Sequence, residues 1–118
     1  MKTLLDLLEN SSKRWGERVA VARGRESISY KELEDKARKI GEFLGNRKGE
    51  FIGILGDNSP AWCCVFFGVL YSGGTVLSLD PLLREKELSY ILKDSECRTV
   101  FVDQRLLNFI REKFPQVE

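Results

Sequence analysis

Leucines at positions 4, 5, 7 and 8 recur at helical spacing among polar neighbours, with Thr3 ahead of them as a cap. The pattern predicts a short amphipathic helix that Trp15-Gly16 closes. Val19 to Ala22 then reads as a strand, and Gly24-Arg25-Glu26 as a turn into Ser27-Ile28, together a small β-hairpin. Ser29-Tyr30-Lys31-Glu32 has the form of a capping box, in which the Ser29 hydroxyl and the Glu32 carboxylate each accept from the other residue's backbone N–H. The predicted helix carries Leu33, Ala37, Ile40 and Leu44 on one stripe. Its other face holds Glu34 with Arg38 and Asp35 with Lys39, four residues apart, a charged face to which no function is assigned.

From Phe51 the pattern changes. Phe51-Ile52-Gly53-Ile54-Leu55 is a near-continuous apolar run, as a parallel strand covered on both faces requires. Gly56-Asp57-Asn58 is the following loop, Ser59 the N-cap and Pro60 the first helical residue. The helix from Pro60 to Tyr71 is apolar nearly all round, which predicts burial between other elements, and Ser72-Gly73-Gly74 ends it. Thr75 to Leu79 is a second strand, Asp80-Pro81 a turn, and Glu85 to Lys93 a helix with Leu88, Ile91 and Leu92 inward. Thr99 to Val102 is a third strand and Gln104 to Lys113 a last helix. The fold class is α/β. Residues 1–49 give an N-terminal helix, hairpin and capped helix, and 50–118 give βαβαβα units forming a parallel, Rossmann-like three-layer sheet, all within one domain.

Composition narrows the chemistry. In 118 residues there is no histidine, so the commonest general base, zinc ligand and partner of a Ser or Cys nucleophile is missing. Net charge is +1, which makes nucleic acid a poor partner. Cys63, Cys64 and Cys97 lack C-x-x-C spacing and read as free thiols in a reducing, cytoplasmic setting. Met1-Lys2 leads straight into the amphipathic run rather than a signal peptide. The longest apolar stretch, Ala61 to Tyr71, is about half of what spans a bilayer.

Three constellations invite a site. Ser72-Gly73-Gly74-Thr75 resembles a phosphate loop, but it follows a helix and precedes a strand, the reverse of the order that aims N–H groups at an anion. A helix C-cap is the favoured role. Gly53 and Gly56 match two positions of the dinucleotide fingerprint, and the third is unfilled. Asp57 and Asp80 each follow a strand at its carboxyl end, the edge where open α/β sheets bind ligands, although Asp80-Pro81 is also a common turn starter.

Taken in order, four segments carry a resemblance. Ser27-Ile-Ser-Tyr-Lys-Glu-Leu33 resembles the first core motif of the adenylate-forming superfamily, the acyl- and aryl-CoA synthetases, luciferases and adenylation domains of peptide synthetases. Ile54-Leu-Gly-Asp-Asn-Ser-Pro-Ala-Trp62 is similar to that family's strand and N-S-P helix start. Leu70-Tyr-Ser-Gly-Gly-Thr-Val-Leu-Ser-Leu-Asp-Pro81 resembles the second core motif, and Glu87-Leu-Ser-Tyr-Ile-Leu-Lys-Asp-Ser95 the helix before the next strand. Ser72, where Ala is usual, and Ser78, where Pro or Asn is frequent, depart from the pattern.

The resemblance implies the N-terminal portion of an ATP-dependent, AMP-forming acid–CoA ligase, most like an acyl-CoA synthetase. It implies structural roles for Ser29, Tyr30, Glu32, Asn58, Ser59, Gly73, Gly74, Asp80 and Pro81. It also suggests that Asp80, Pro81 and Arg84 lie near a CoA channel, with Arg84 toward a CoA phosphate; surface solvation is the simpler reading of Arg84. The family's phosphate loop, adenine and magnesium segments, and mobile-domain lysine correspond to nothing in these residues. ATP, Mg and CoA are therefore expected of a longer parent, with no catalytic residue, metal ligand or cofactor site complete here. The expected partners are the remainder of the parent and, through uncovered apolar surface, a second copy. A free-standing α/β binding module or one half of a split adenylating enzyme is the alternative.

Overall fold

The structure is a computed structural model that describes residues 3–117; the reading of Met1-Lys2 lies outside them. Helix α1 (Leu4–Trp15) begins at Thr3, whose Oγ1 accepts from the Asp6 N–H at 3.1 Å. Its leucine stripe is only partly covered: Leu8 is buried, while Leu4 and Leu7 are about half exposed. Strands β1 (Val19–Arg23) and β2 (Glu26–Ser29) pair antiparallel. Glu26 pairs with Arg23 rather than turning, so the loop is Gly24-Arg25, with Gly24 at φ +59°.

Both capping-box bonds form at the start of α2 (Tyr30–Leu44): Glu32 N–H to Ser29 Oγ at 3.1 Å and Ser29 N–H to Glu32 Oε1 at 3.0 Å. Those bonds, led by the one from the Ser29 backbone, hold the Glu32 carboxyl below its usual range. Strands β3 (Phe51–Leu55), β4 (Thr75–Leu79) and β5 (Thr99–Val102) form a parallel sheet in the order β4-β3-β5. The crossovers are α3 (Pro60–Tyr71) and α4 (Glu85–Ser95), and α5 (Gln104–Lys113) follows the last strand.

Strand alternation sorts the sheet into two faces. Ile52, Val76 and Phe101 meet Val69, Val65, Ile40 and Leu44 of α3 and α2. Leu55, Leu79, Val100 and Val102 meet Leu88 and Leu92 of α4, Ile110 of α5 and Phe114 at the end of α5. A third cluster, Leu8, Ile28, Leu33 and Cys64, ties α1 and the hairpin to α2 and α3. Helices α2 and α3 cross at two glycines. A Cβ on Gly68 would lie 2.5 Å from Ile40 Cγ2, and one on Gly41 would lie 2.6 Å from Tyr71 Cβ.

Two expectations from the pattern need correction. Helix α3 is not enclosed: Pro60, Cys64, Gly68 and Val69 are buried, but Ala61 is exposed and Trp62, Val65 and Phe66 are half-buried. The sheet, α2, α1 and the hairpin together leave the side of Ala61, Trp62, Val65 and Phe66 only partly covered, and an all-round apolar helix needs more. The charged face of α2 also does more than meet solvent. Arg38 pairs with Glu34, reaches across to Glu9 of α1, and lies 4.9 Å over the Tyr71 ring of α3.

Candidate site at the carboxyl edge of the sheet

All three parallel strands deliver an aspartate to the same edge: Asp57 after β3, Asp80 after β4 and Asp103 after β5. The edge forms an open cleft of about 550 Å³ lined by Gly56, Asp57, Asn58, Asp80, Pro81, Leu82, Arg105 and Leu106. Asp103 leans over Gly56 so closely that a Cβ there would lie 2.7 Å from its Oδ1. Its Oδ2 accepts from the Asp57 N–H at 3.2 Å. Arg105 donates to Asp57 Oδ2 at 2.8 Å and stands 3.7 Å from Asp103. From the hairpin, Arg23 donates to the Asn58 carbonyl at 2.9 Å and lies 4.0 Å from Asp57. These are solvent-exposed pairs, so they set loop geometry more than they add stability.

Each residue singled out from the sequence has a defined place. Asp80 is the turn former: its Oδ1 accepts from the Leu82 N–H at 2.9 Å and its carbonyl from Leu83 N–H at 3.0 Å. Asp80 and Pro81 line the cleft; Arg84 is exposed at the start of α4, outside the lining, and its backbone N–H donates to Glu87 at 3.1 Å. Ser59 caps α3 by accepting from Trp62 N–H at 3.2 Å. Gly73 sits at the opposite end of the sheet with φ +83°, one residue past the Ser72 C-cap, where its left-handed backbone ends α3. Beside it the Ser72 hydroxyl, buried, donates to the Val69 carbonyl and accepts from Gly74 N–H at 3.2 Å. The departure from Ala at this position therefore gains an additional end-of-helix bond.

Asp103 and Arg105 were not anticipated. Asp103 had a usable signal, since it follows its strand as Asp57 and Asp80 follow theirs; Arg23 and Arg105 had none, because their convergence on Asp57 is set by the packing of the hairpin and α5. The arrangement does not fit a nucleotide's phosphates or magnesium unaided. The helix N-terminus nearest the cleft is faced by Asp57, which repels an anion, and the carboxylates are engaged by arginines or their own turn. Among the described residues no group of three or more His, Cys, Asp or Glu is placed to hold a metal ion. The thiols of Cys63, Cys64 and Cys97 are all pushed up by burial, which favours the protonated form over the nucleophilic thiolate.

A second polar cluster joins the first three helices. The Tyr71 hydroxyl donates to Glu9 Oε2 at 3.1 Å, and burial, reinforced by that carboxylate, pushes the phenol up to about 12. Burial tends to raise Glu34, but hydrogen bonds from Ser12 and Arg38 outweigh it and hold the carboxyl below its usual range. This cluster clamps α1, α2 and α3 to one another.

The fold and its edge define an open α/β unit of the kind that presents ligands at the carboxyl ends of parallel strands. The sequence pattern of the AMP-binding enzyme family matches residues 8–118, and the chain belongs to that family. It is 32% identical to a mycosubtilin synthase polypeptide of Bacillus subtilis over 97% of its own length and 4% of that protein's. With the long-chain-fatty-acid–CoA ligase of Bacillus subtilis it shares 29% identity over 84% of the chain and 18% of the ligase. The crystal structure of the anthranilate CoA ligase AuaEII with anthranoyl-AMP superposes with a TM-score of 0.85 at 28% identity, covering 97% of this chain and 23% of that one. The chain thus spans a fifth or less of the length of these curated relatives, and under a quarter of the solved ligase.

Proposed function

We propose that this chain is the N-terminal scaffold segment of an AMP-forming, ATP-dependent acid–CoA ligase, of acyl-CoA synthetase type, that works in the cytoplasm. The parent would activate a carboxylate as acyl-AMP and pass it to the CoA thiol. Within it this segment supplies a layer of parallel sheet with its helices, and the turn at Asp80 and Pro81 borders the path by which CoA enters. Arg84, exposed beside that turn, would meet a phosphate of CoA.

The observation that carries the reading is the state of the carboxyl edge. Its polar groups are spent on one another, Asp57 with Arg105 and Asp80 with its own turn, while apolar α3 lies half uncovered. A self-satisfied edge beside an uncovered apolar helix suits a scaffold whose reacting groups come from elsewhere. A peptide-synthetase adenylation segment is the second reading, favoured by the 32% identity to the mycosubtilin synthase polypeptide.

The test has two arms. Titrating ATP or AMP into the 118-residue chain should give no heat; a micromolar Kd would refute the scaffold role. The coding sequence past Glu118 should continue into a Ser/Thr/Gly-rich loop with a lysine, and its product should catalyse acid-dependent ATP–pyrophosphate exchange. Acyl transfer to CoA rather than to a carrier-protein thiol then separates the two readings.

A further inference from the structure

A second cleft lies between the hairpin, α2 and α3 and shares no lining residue with the cleft at the carboxyl edge. Its volume is about 700 Å³, in the range of about 300–1,000 Å³ found for small-molecule sites. The floor is apolar: Ile28, Pro60 and Cys64 are buried, and Ile40 and Val65 are half-buried. The rim is exposed and charged, with Arg25 from the hairpin loop and Lys36 and Lys39 from α2 against one acid, Glu26. Among the described residues no ion pair or side-chain hydrogen bond engages these three cations. Arg38 takes Glu34 and Glu9, while the pair that spacing predicts between Asp35 and Lys39 does not form. The charge of Lys36 acts on the floor, where it opposes the rise that burial imposes on the Cys64 thiol. The groove also continues beyond that floor. Ala61 and Val65 line the neighbouring cavity with Ile54, Trp62 and Phe101, so apolar surface leads from the lysines to the aromatic rings.

We propose that this groove binds a single-tailed amphiphile with a phosphate monoester head, the head held by Arg25, Lys36 and Lys39 and the tail laid over Ala61 and Val65 toward Trp62. Charge selects the head. Three cations against the Glu26 carboxylate leave a net +2 on the lining. A phosphate monoester, at about −1.5 to −2 near pH 7, balances that charge, and a monocarboxylate balances half of it. Arg25 adds a planar fork that matches phosphate oxygens, and the lysines serve as point charges. Shape selects the tail. A compact apolar ligand would need the first cavity alone, whereas two cavities joined across Ala61 and Val65 suit an unbranched chain. Burial of that chain contributes by area and without direction, so the tail supplies affinity and the rim supplies selectivity. The site occupies a face to which the scaffold reading gives no role, and it does not depend on that reading.

The probe is dodecyl phosphate below its micelle concentration, titrated into the 118-residue chain and followed by calorimetry. Saturable one-to-one binding is expected, about tenfold or more tighter than that of dodecanoate, with none for dodecyltrimethylammonium or inorganic phosphate. Lys36→Glu with Lys39→Glu should weaken dodecyl phosphate by about tenfold or more. Lys86→Glu with Lys93→Glu changes the net charge equally on the exposed side of α4 and should leave the affinity unchanged. Circular dichroism checks that both double variants fold, and the comparison of head groups on the unmodified chain needs no variant. Equal binding of dodecanoate or of the cationic amphiphile would overturn the proposal. So would an equal loss in both double variants, or no loss from the α2 pair in folded protein. Binding to phosphatidate vesicles with none to the monomeric probe would also overturn it, in favour of a membrane surface.

Discussion

Replacing Gly68 by alanine probes the tight crossing of α2 and α3. The added Cβ would stand 2.5 Å from Ile40 Cγ2, 2.6 Å from Ile40 Cβ and 3.2 Å from the Ala37 carbonyl oxygen. Rotating Ile40 relieves the first contact but not the second, because a Cβ moves only with its backbone. The helices must separate, which loosens Val69 against Ile52, both fully buried. Overpacking of this kind costs about 1–3 kcal/mol. Alanine's better helix propensity returns about 1 kcal/mol, so the net loss should centre on about 1 kcal/mol. With a urea m-value of about 1–2 kcal/mol/M for a chain this size, the midpoint should fall by roughly 1 M or less. The assay is urea unfolding followed by circular dichroism, with m compared between variant and wild type. An unchanged or higher midpoint at equal m would mean that α2 and α3 do not approach as described, since propensity alone predicts stabilisation.

Two further substitutions address the polar contacts. Ser29→Ala removes the hydroxyl of the capping box and should cost about 0.5–2 kcal/mol in urea unfolding at neutral pH. The pH dependence follows from Glu32, whose carboxyl is depressed in the folded chain. Its contribution is present above the usual carboxylate value of 4.5 and is lost as pH falls through the lower folded value, so the wild-type advantage over Ser29→Ala should shrink in acid. Tyr71→Phe breaks the bond to Glu9 and should cost about 0.5–1.5 kcal/mol. The phenol's folded value, about 12, lies above the ordinary 10, so its contribution is whole below pH 10 and lost as pH rises toward 12. Ultraviolet absorbance of the phenolate, taken as wild type minus Tyr71→Phe, should show a tyrosinate step near pH 12; a step near 10 in that difference would place Tyr71 in water.

The local pattern determined most of the elements, because each depended on neighbours in the chain. The capping box at Ser29 and Glu32, the Ser59-Pro60 helix start and the Asp80 turn are closed by bonds spanning two or three residues. Apolar runs located β3, β4 and β5, and the order of the motifs identified the AMP-binding enzyme family to which the chain belongs. Tertiary structure decided what depends on residues distant in sequence. Arg105 reaches Asp57 across 48 positions and Tyr71 reaches Glu9 across 62, and no spacing rule encodes either meeting. The exposure of α3 was likewise invisible: an all-apolar helix reports that burial is wanted, and only the packed fold shows which sides receive it. Strand order belongs to the same class. Composition cannot tell β4-β3-β5 from its alternatives, because all three strands are short apolar runs, and the order is read only from which strands pair and which faces α3, α4 and α5 occupy.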